Sequence, residues 1–147
     1  MRGYGDARRF ALIALLIIPV GLFLCLDCAP RSKGESERAI GEVLALREQA
    51  MEGKDIDLYM RCIAEAYQDG NETYTSIRER MQQNFRAFER IDFSQFNRTI
   101  YPEGDSATVV QEYEIGFIFE GKRDYVRGKE KILLKKDPGG WKIIKGI

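Results

Sequence analysis

Cys25 and Cys28 are separated by two residues, the spacing of redox-active and metal-binding cysteine pairs. The remaining cysteine is Cys62 and the chain has no histidine, so the pair lacks the further ligands that a zinc site needs. Without histidine, no serine or cysteine can have the imidazole base of the common nucleophilic mechanisms. We therefore expect no catalytic residue of this kind, no metal site and no cofactor. Cys62 lies on the apolar side of a predicted helix and is interpreted as a small core residue.

A run of uncharged, mostly aliphatic residues, 10–26, decides how the two N-terminal cysteines are interpreted. As a helix it would reach about 26 Å, which is just long enough to cross a bilayer core. Three arginines precede the run, so the positive-inside tendency places residues 1–9 in the cytoplasm as a basic flank. Residues 27–35 then form a short tether. The sequence thus predicts a membrane partner for residues 10–26.

Two alternatives stay open for this apolar segment. A cleaved secretory signal has the same basic start and apolar middle, and a bacterial lipoprotein would carry its lipid on Cys25 or Cys28. The run is longer than the usual signal core of about 7–15 residues, which favours an uncleaved anchor. Neither cysteine follows the small residue that lipidation prefers. All three alternatives place the C-terminal domain outside the cytoplasm, on the periplasmic side of a bacterium.

Charge and length limit what the rest of the chain can be. Basic and acidic residues number 23 each, so no global positive field favours nucleic acid as a partner. The segment 122–145 holds nine basic and three acidic residues. We interpret these lysines as an exposed sheet face, with an anionic partner or membrane surface as the alternative. The part after the tether, 36–147, has the size of a single domain.

The hydrophobic pattern changes from helical to strand-like near residue 90. Helices are predicted from Ser36 to Glu52, from Asp55 over the next turns, and from Thr73 to Phe88, with Ser36 and Asp55 as N-caps. Strands are predicted at 91–101, 108–120, 124–135 and 141–144, joined by turns that contain glycine. The order predicts an α+β domain, with three helices packed on one face of a curved antiparallel sheet of about four strands.

Two groups of segments resemble the nuclear transport factor 2-like superfamily. The run 53–59 reads GKDIDLY, and Ala64 and Tyr67 follow it. This pattern is similar to the N-terminal part of these domains. The run 131–136 with 140–143, KILLKK and GWKI, is similar to their last two strands. The resemblance covers residues 36–147. It implies a cystatin-like cone, in which a short helix lies across the mouth of a strongly bent sheet.

The resemblance also implies where a site would lie. Isomerases and dehydratases of the superfamily place a carboxylate inside the apolar cone, where desolvation raises its pKa for proton transfer. We expect Asp57 to stabilise a helix start instead, and we expect Glu112 and Glu114 to face solvent. The candidate pocket-lining residues are Asp57, Tyr59, Tyr67, Tyr113 and Trp141. The tyrosines could donate hydrogen bonds there, or be core residues with wet tips.

Several bulky side chains predict a filled cone: Phe93, Phe96, Phe117, Phe119 and Trp141. A filled cone favours a membrane-anchored, extracytoplasmic binding or scaffold protein with no evident catalytic site. The partners expected for it are an envelope protein and a second copy docked on the exposed sheet face. The alternative is a small-molecule-binding protein or an enzyme, isomerase- or dehydratase-like, that uses the interior of the cone.

Overall fold

The computed structural model describes residues 32–147. The basic flank 1–9, the apolar segment 10–26 and both N-terminal cysteines, Cys25 and Cys28, lie outside the described residues. Within 32–147, no helix combines the length and the apolarity that a membrane crossing requires.

Three helices are described in this part of the chain, each begun by a side chain that caps backbone N–H groups. Helix α1 spans Lys33–Glu52, α2 spans Ile56–Arg61 and α3 spans Tyr74–Ala87. Asp55 accepts a hydrogen bond from the Leu58 amide at 2.9 Å, and Thr73 forms a capping box with Ser76, so both predicted starts are confirmed. The predicted cap Ser36 is wrong. Ser32 accepts from the Glu35 amide at 3.3 Å instead, so α1 begins inside the predicted tether and Ser36 is buried.

Four long strands end the chain: β3 (Arg90–Glu103), β4 (Ser106–Phe119), β5 (Lys122–Asp137) and β6 (Gly140–Lys145). They form an antiparallel meander in that order, and their bounds are close to the predicted ones. A hairpin that the sequence pattern did not indicate, β1 (Gln68–Asp69) with β2 (Glu72–Thr73), precedes α3. The predicted α+β fold, a helical part on a curved four-stranded antiparallel sheet, is confirmed.

The core lies between the helices and the concave face of the sheet. Helix α1 packs across β3, and the segment directly after α2 is joined to β6 through two backbone hydrogen bonds. The Ile143 amide donates to the Cys62 carbonyl at 2.8 Å, and the Ala64 amide donates to the Ile143 carbonyl at 2.9 Å. The fully buried side chains of the core include Ile40, Leu44, Ile77, Val109, Ile132, Leu134 and Ile143. Cys62 is also buried, as expected.

A β-bulge interrupts β3 between Phe96 and Thr99. Phe96 pairs with Glu112 and Thr99 with Val110, so β3 contains one residue more than its partner, and Asn97 has a φ of 50°. Bulges of this kind bend a strand and change which face the following side chains occupy. Phe96, before the bulge, lies on the convex face by alternation from Phe93, and the bulge brings Arg98, two residues later, to the concave face.

Candidate functional site

A cavity of about 370 Å³ lies inside the cone, between the helices and the concave face of the sheet. Much of its wall is apolar, with Met51 and Met81 from the helices and Ile91, Ile115 and Phe117 from the strands. Arg80 and Val126, which are exposed, mark its opening. The expected filled cone is therefore wrong. Such volumes fall within the range of small-molecule pockets.

Three of the side chains expected to fill the cone lie elsewhere. Phe96 is 44% exposed on the convex face, where alternation from the buried Phe93 places it, and Phe119 is 44% exposed at the end of β4. Trp141 is buried, but it lines a separate groove beside α1 with Ala39 and Val43. The interior consequently keeps space that the aromatic count of the sequence did not indicate.

A buried ion pair, Arg47 with Glu130, forms the polar part of the cavity wall. The two guanidinium nitrogens of Arg47 donate to the two carboxylate oxygens of Glu130 at 2.9 and 3.2 Å, a bidentate arrangement. The side chains are only 7% and 9% exposed. An ion pair this far from water needs good geometry and further hydrogen bonds to offset its desolvation.

Those further hydrogen bonds come from a polar chain that continues toward α1. The side-chain amide of Gln111 donates from Nε2 to Glu130 at 2.5 Å. Its oxygen, Oε1, accepts from the Arg98 Nε at 2.6 Å. Arg98 also donates to Glu48 of α1. The two arginines are thus matched by two carboxylates, and Gln111 joins the pairs. The network ties α1 to three strands and carries no net charge.

The surroundings of Arg47 keep it charged. Burial alone would lower its pKa, but the Tyr59 hydroxyl and the Glu130 carboxylate raise the pKa above the ordinary arginine value. The guanidinium carbon lies 5.6 Å from the centroid of the Phe93 ring, a cation–π contact. Within residues 32–147, the buried Nε–H of Arg47 has no hydrogen-bond partner. Arg47 therefore keeps one donor that its ion pair does not use.

Tyr113 lines the same cavity from β4 and depends on a glycine opposite. Its ring stacks on Phe93, with centroids 6.2 Å apart. Tyr113 pairs across the strands with Gly128, where an added Cβ would lie 2.6 Å from the tyrosine hydroxyl oxygen. Gly128 consequently leaves the space that the Tyr113 hydroxyl occupies.

Of the five candidate pocket-lining residues, Tyr59 and Tyr113 line the cavity and the other three do not. Asp57 is 79% exposed in the first turn of α2, pairs with Arg78 at 2.7 Å and borders a separate open groove. The Tyr67 hydroxyl instead donates to the Ile147 carbonyl at 3.2 Å and accepts from its amide at 3.3 Å. Desolvation raises the pKa of this buried phenol. Trp141 lies in the separate groove already described.

Glu112 and Glu114 point away from the cavity, as expected. They lie on the convex face, where Glu112 pairs with Lys129 at 2.7 Å and Glu114 pairs with Arg127. The hydrogen bond from Lys129 is the main cause that lowers the pKa of Glu112. Neither carboxylate is placed for chemistry inside the cone.

The sequence interpretation missed the residues that form the polar wall, although two signals were present. Arg47 interrupts the apolar face of α1, and Gln111 shares a strand face with Val109 and Tyr113. A polar side chain in an apolar row has to find a partner in the core. The partner of both, Glu130, lies directly across from Gln111 in the β4–β5 register.

The arrangement is better suited to binding than to proton transfer. Glu130, the carboxylate in the wall, accepts two bonds from Arg47 and one from Gln111, so its oxygens are already engaged. In the part of the chain that the structure describes, no three Cys, Asp or Glu side chains are grouped as a metal site would need. The other polar residues that line the cavity are Tyr59, Arg80, Asn84 and Tyr113.

Comparisons with known proteins agree on the fold. The chain matches neither a protein-family model nor a curated protein. Among solved structures, it is similar to a candidate aromatic ring hydroxylase from Novosphingobium aromaticivorans, with a TM-score of 0.72 and 18% identity over 79% of this chain and 89% of that one. A candidate dehydratase of the NTF2-like family from Streptomyces avermitilis gives 0.68 and 14% identity over 78% and 95%.

A third similar structure is an NTF2-like protein with a cystatin-like fold, also from Novosphingobium aromaticivorans. It gives a TM-score of 0.66 and 17% identity over 76% of this chain and 79% of that one. Identities this low show the fold and nothing finer. The resemblance of the sequence to nuclear transport factor 2-like domains is therefore confirmed at the level of a cystatin-like fold.

Proposed function

We propose that the protein binds a small, mostly apolar molecule inside the cone. The observation that carries this proposal is the cavity of about 370 Å³, whose apolar wall is interrupted by the buried Arg47–Glu130 pair and Tyr59. An apolar pocket with a few convergent polar groups is the usual form of a small-molecule site. This function replaces a filled scaffold as the first candidate, because the cone is open.

An enzyme acting on a molecule in the same cavity is the second candidate. The names of two neighbours of this fold, a candidate hydroxylase and a candidate dehydratase, support it. The engaged oxygens of Glu130 and the lack of histidine in the chain favour binding without chemistry. Turnover of a bound molecule by the purified protein would place this candidate first.

A cavity-filling variant tests the binding proposal. Ile115 lines the cavity on β4, and Ile118 lies on the convex face of the same strand. Replacing Ile115 by Trp should abolish binding of naphthalene, measured by isothermal titration calorimetry, because the indole occupies the cavity. Ile118→Trp is the matched control and should bind like the wild type. If the wild-type protein does not bind naphthalene, or if both variants bind it equally well, the proposal fails.

We also propose that residues 10–26 hold the domain at a membrane on its extracytoplasmic side. The support is the length of the apolar run and the arginines before it. A reporter fused after Ile147 should be active only outside the cytoplasm. Mass spectrometry should find the apolar segment retained in the mature protein. A lipid on Cys25 or Cys28 would show instead that the protein is a lipoprotein.

A binding or scaffold role for the outer surface remains a proposal beside the cavity. The convex face carries four exposed apolar side chains: Phe96, Tyr101, Val110 and Tyr125. Cross-strand pairs such as Glu112–Lys129 neutralise part of its charge. A second copy of the chain docked on this face would bury the exposed aromatic side chains. In sedimentation equilibrium the wild type should be a dimer and Tyr125→Glu a monomer. A monomeric wild type would exclude the homodimer.

A further inference from the structure

We propose that the open groove beside α2 docks an acidic, partly apolar segment of a partner protein. The groove has a volume of about 900 Å³ and is lined by α2 and the residues after it, the first turns of α3, the end of β5, and β6. It shares no lining residue with the cavity inside the cone, so the inference goes beyond the proposed small-molecule function. It follows from the charges of the groove, the pairing of its lysines and its apolar floor.

The groove carries an excess of positive charge. Its lining has five basic against three acidic side chains, an excess of two. One cation, Arg78, is paired with Asp57 at 2.7 Å. The other four form no salt bridge with residues 32–147: Arg61, Lys135, Lys136 and Lys142. On the convex face, in contrast, Arg127 and Lys129 pair with carboxylates across the strands. Anionic groups of a partner can therefore supply what the groove lacks.

Two of these lysines lie directly opposite each other on the β5–β6 ladder. Lys135 pairs with Lys142 in the strand register. Lys142 is partly buried, and its ammonium group donates to the Arg61 carbonyl oxygen, which limits how far it can turn away. Like charges at opposite positions of an antiparallel pair are destabilising. A carboxylate bound beside both lysines would replace this repulsion by attraction.

The floor of the groove is apolar, which favours a peptide over a bare anion. Ala64, Tyr74 and Ile144 are partly exposed there, and Met60 and Ile63 also line it. At roughly 30 Å³ for each water-sized group, the groove has room for about thirty such groups, which is several residues of an extended chain. A flat lipid surface would meet the rim and leave this floor uncovered. The combination fits an acidic segment that also carries apolar side chains.

Three fluorescently labelled octapeptides test the inference by anisotropy on the full-length chain. The first, DLEDFLED, is acidic with apolar positions. NLQNFLQN is its uncharged counterpart, and DGEDGGED lacks the apolar side chains. The first peptide should bind at least about tenfold tighter than either of the others, and raising the salt from about 50 to about 300 mM should weaken it.

Three outcomes would overturn the inference. They are no binding of the first peptide, equal binding of the first and the uncharged peptide, and equal binding of the first and the apolar-free peptide. In the last case any anion, a lipid headgroup or free phosphate included, would be a sufficient ligand.

A double variant assigns the binding to the groove. Lys135→Gln with Lys142→Gln removes the opposed cations and should weaken binding of DLEDFLED at least about tenfold. The control, Lys122→Gln with Lys131→Gln, removes the same charge from β5 outside the groove and should bind like the wild type. The groove variant should melt close to the wild-type temperature, because the lost repulsion offsets the lost bond to the Arg61 carbonyl. Equal affinities of the two double variants would contradict the assigned site, and the comparison of peptides on the wild type stands even if the groove variant does not fold.

Discussion

Replacing Arg47 by Met removes one half of the buried ion pair and leaves Glu130 charged in the interior. Glu130 would keep a single hydrogen bond, from Gln111, of the three that it accepts. Breaking a buried pair in this way costs about 3–5 kcal/mol. A domain of this size has a free energy of unfolding of about 5–15 kcal/mol, so the variant should lose a large part of its stability.

The double variant Arg47→Met with Glu130→Gln separates the buried charge from the lost contacts. Its glutamine removes the charge but can still accept from Gln111, so no charged group is left unpaired. We expect the double variant to recover about 2 kcal/mol or more of the loss, because apolar or neutral replacements of a buried pair are often close to neutral.

Urea unfolding of the wild type, both single variants and the double variant gives the coupling energy of the pair. The control cycle uses Arg127 and Glu114, the convex-face pair, where solvent screening should leave a much smaller coupling. A double variant as unstable as Arg47→Met alone would show that lost contacts, and not a stranded charge, determine the cost.

Three other variants test separate features of the structure. Gly128→Ala should weaken ligand binding in the cone, because the new Cβ would lie 2.6 Å from the Tyr113 hydroxyl oxygen and displace that side chain; calorimetry with naphthalene measures this. Trp141→Ala should lower the free energy of unfolding by about 3–5 kcal/mol, since the side chain is buried, and urea titration measures the loss. Lys129→Gln should make stability less sensitive to acid. The Lys129 hydrogen bond lowers the pKa of Glu112, so its contribution is present above the unfolded-state pKa and is lost as pH falls through the folded-state pKa. The fall in melting temperature from about pH 7 to about pH 3 should therefore be larger in the wild type than in Lys129→Gln.

Each of these variants has a matched control. Gly116→Ala places its Cβ no closer than 3.8 Å to a neighbour and should leave binding unchanged. Trp141→Phe should cost much less than Trp141→Ala, because the indole N–H has no partner within the described residues. Lys131→Gln should keep the wild-type response to acid. Equal effects in a variant and its control would contradict the reason given for that variant.

The sequence predicted best what local chemistry determines. The cap Asp55 and the helix start at Thr73 were predicted correctly, and in the structure each side chain bonds to an amide three residues later. The strands followed from alternation and glycine turns, with bounds within a few residues of those observed. The start of α1 was misplaced because Ser32 and Ser36 are both suitable caps and packing decides between them.

The candidate site was harder to predict because its contacts are distant in the sequence. Arg47 and Glu130 are separated by 83 positions, and the Tyr67 hydroxyl meets Ile147 across 80. No local pattern indicates that the polar residue of α1 and a glutamate of β5 share a buried pair. Phe96 faces outward because it lies three positions after the buried Phe93, and a count of aromatic residues ignores this alternation.

The bulge at Asn97 has a consequence for how this chain can diverge. Because β3 contains one extra residue there, Phe96 and Arg98 occupy opposite faces although they are two positions apart. Deleting Asn97 would make Phe96 and Arg98 neighbours, so both halves of the strand would keep their faces and the pairing with β4 would become regular. Only the local bend that the bulge adds would be lost. A deletion of one residue elsewhere in β3 would instead turn the side chains beyond it to the other face. One-residue changes in the length of β3 should therefore be tolerated at Asn97 and far less at other positions of the strand.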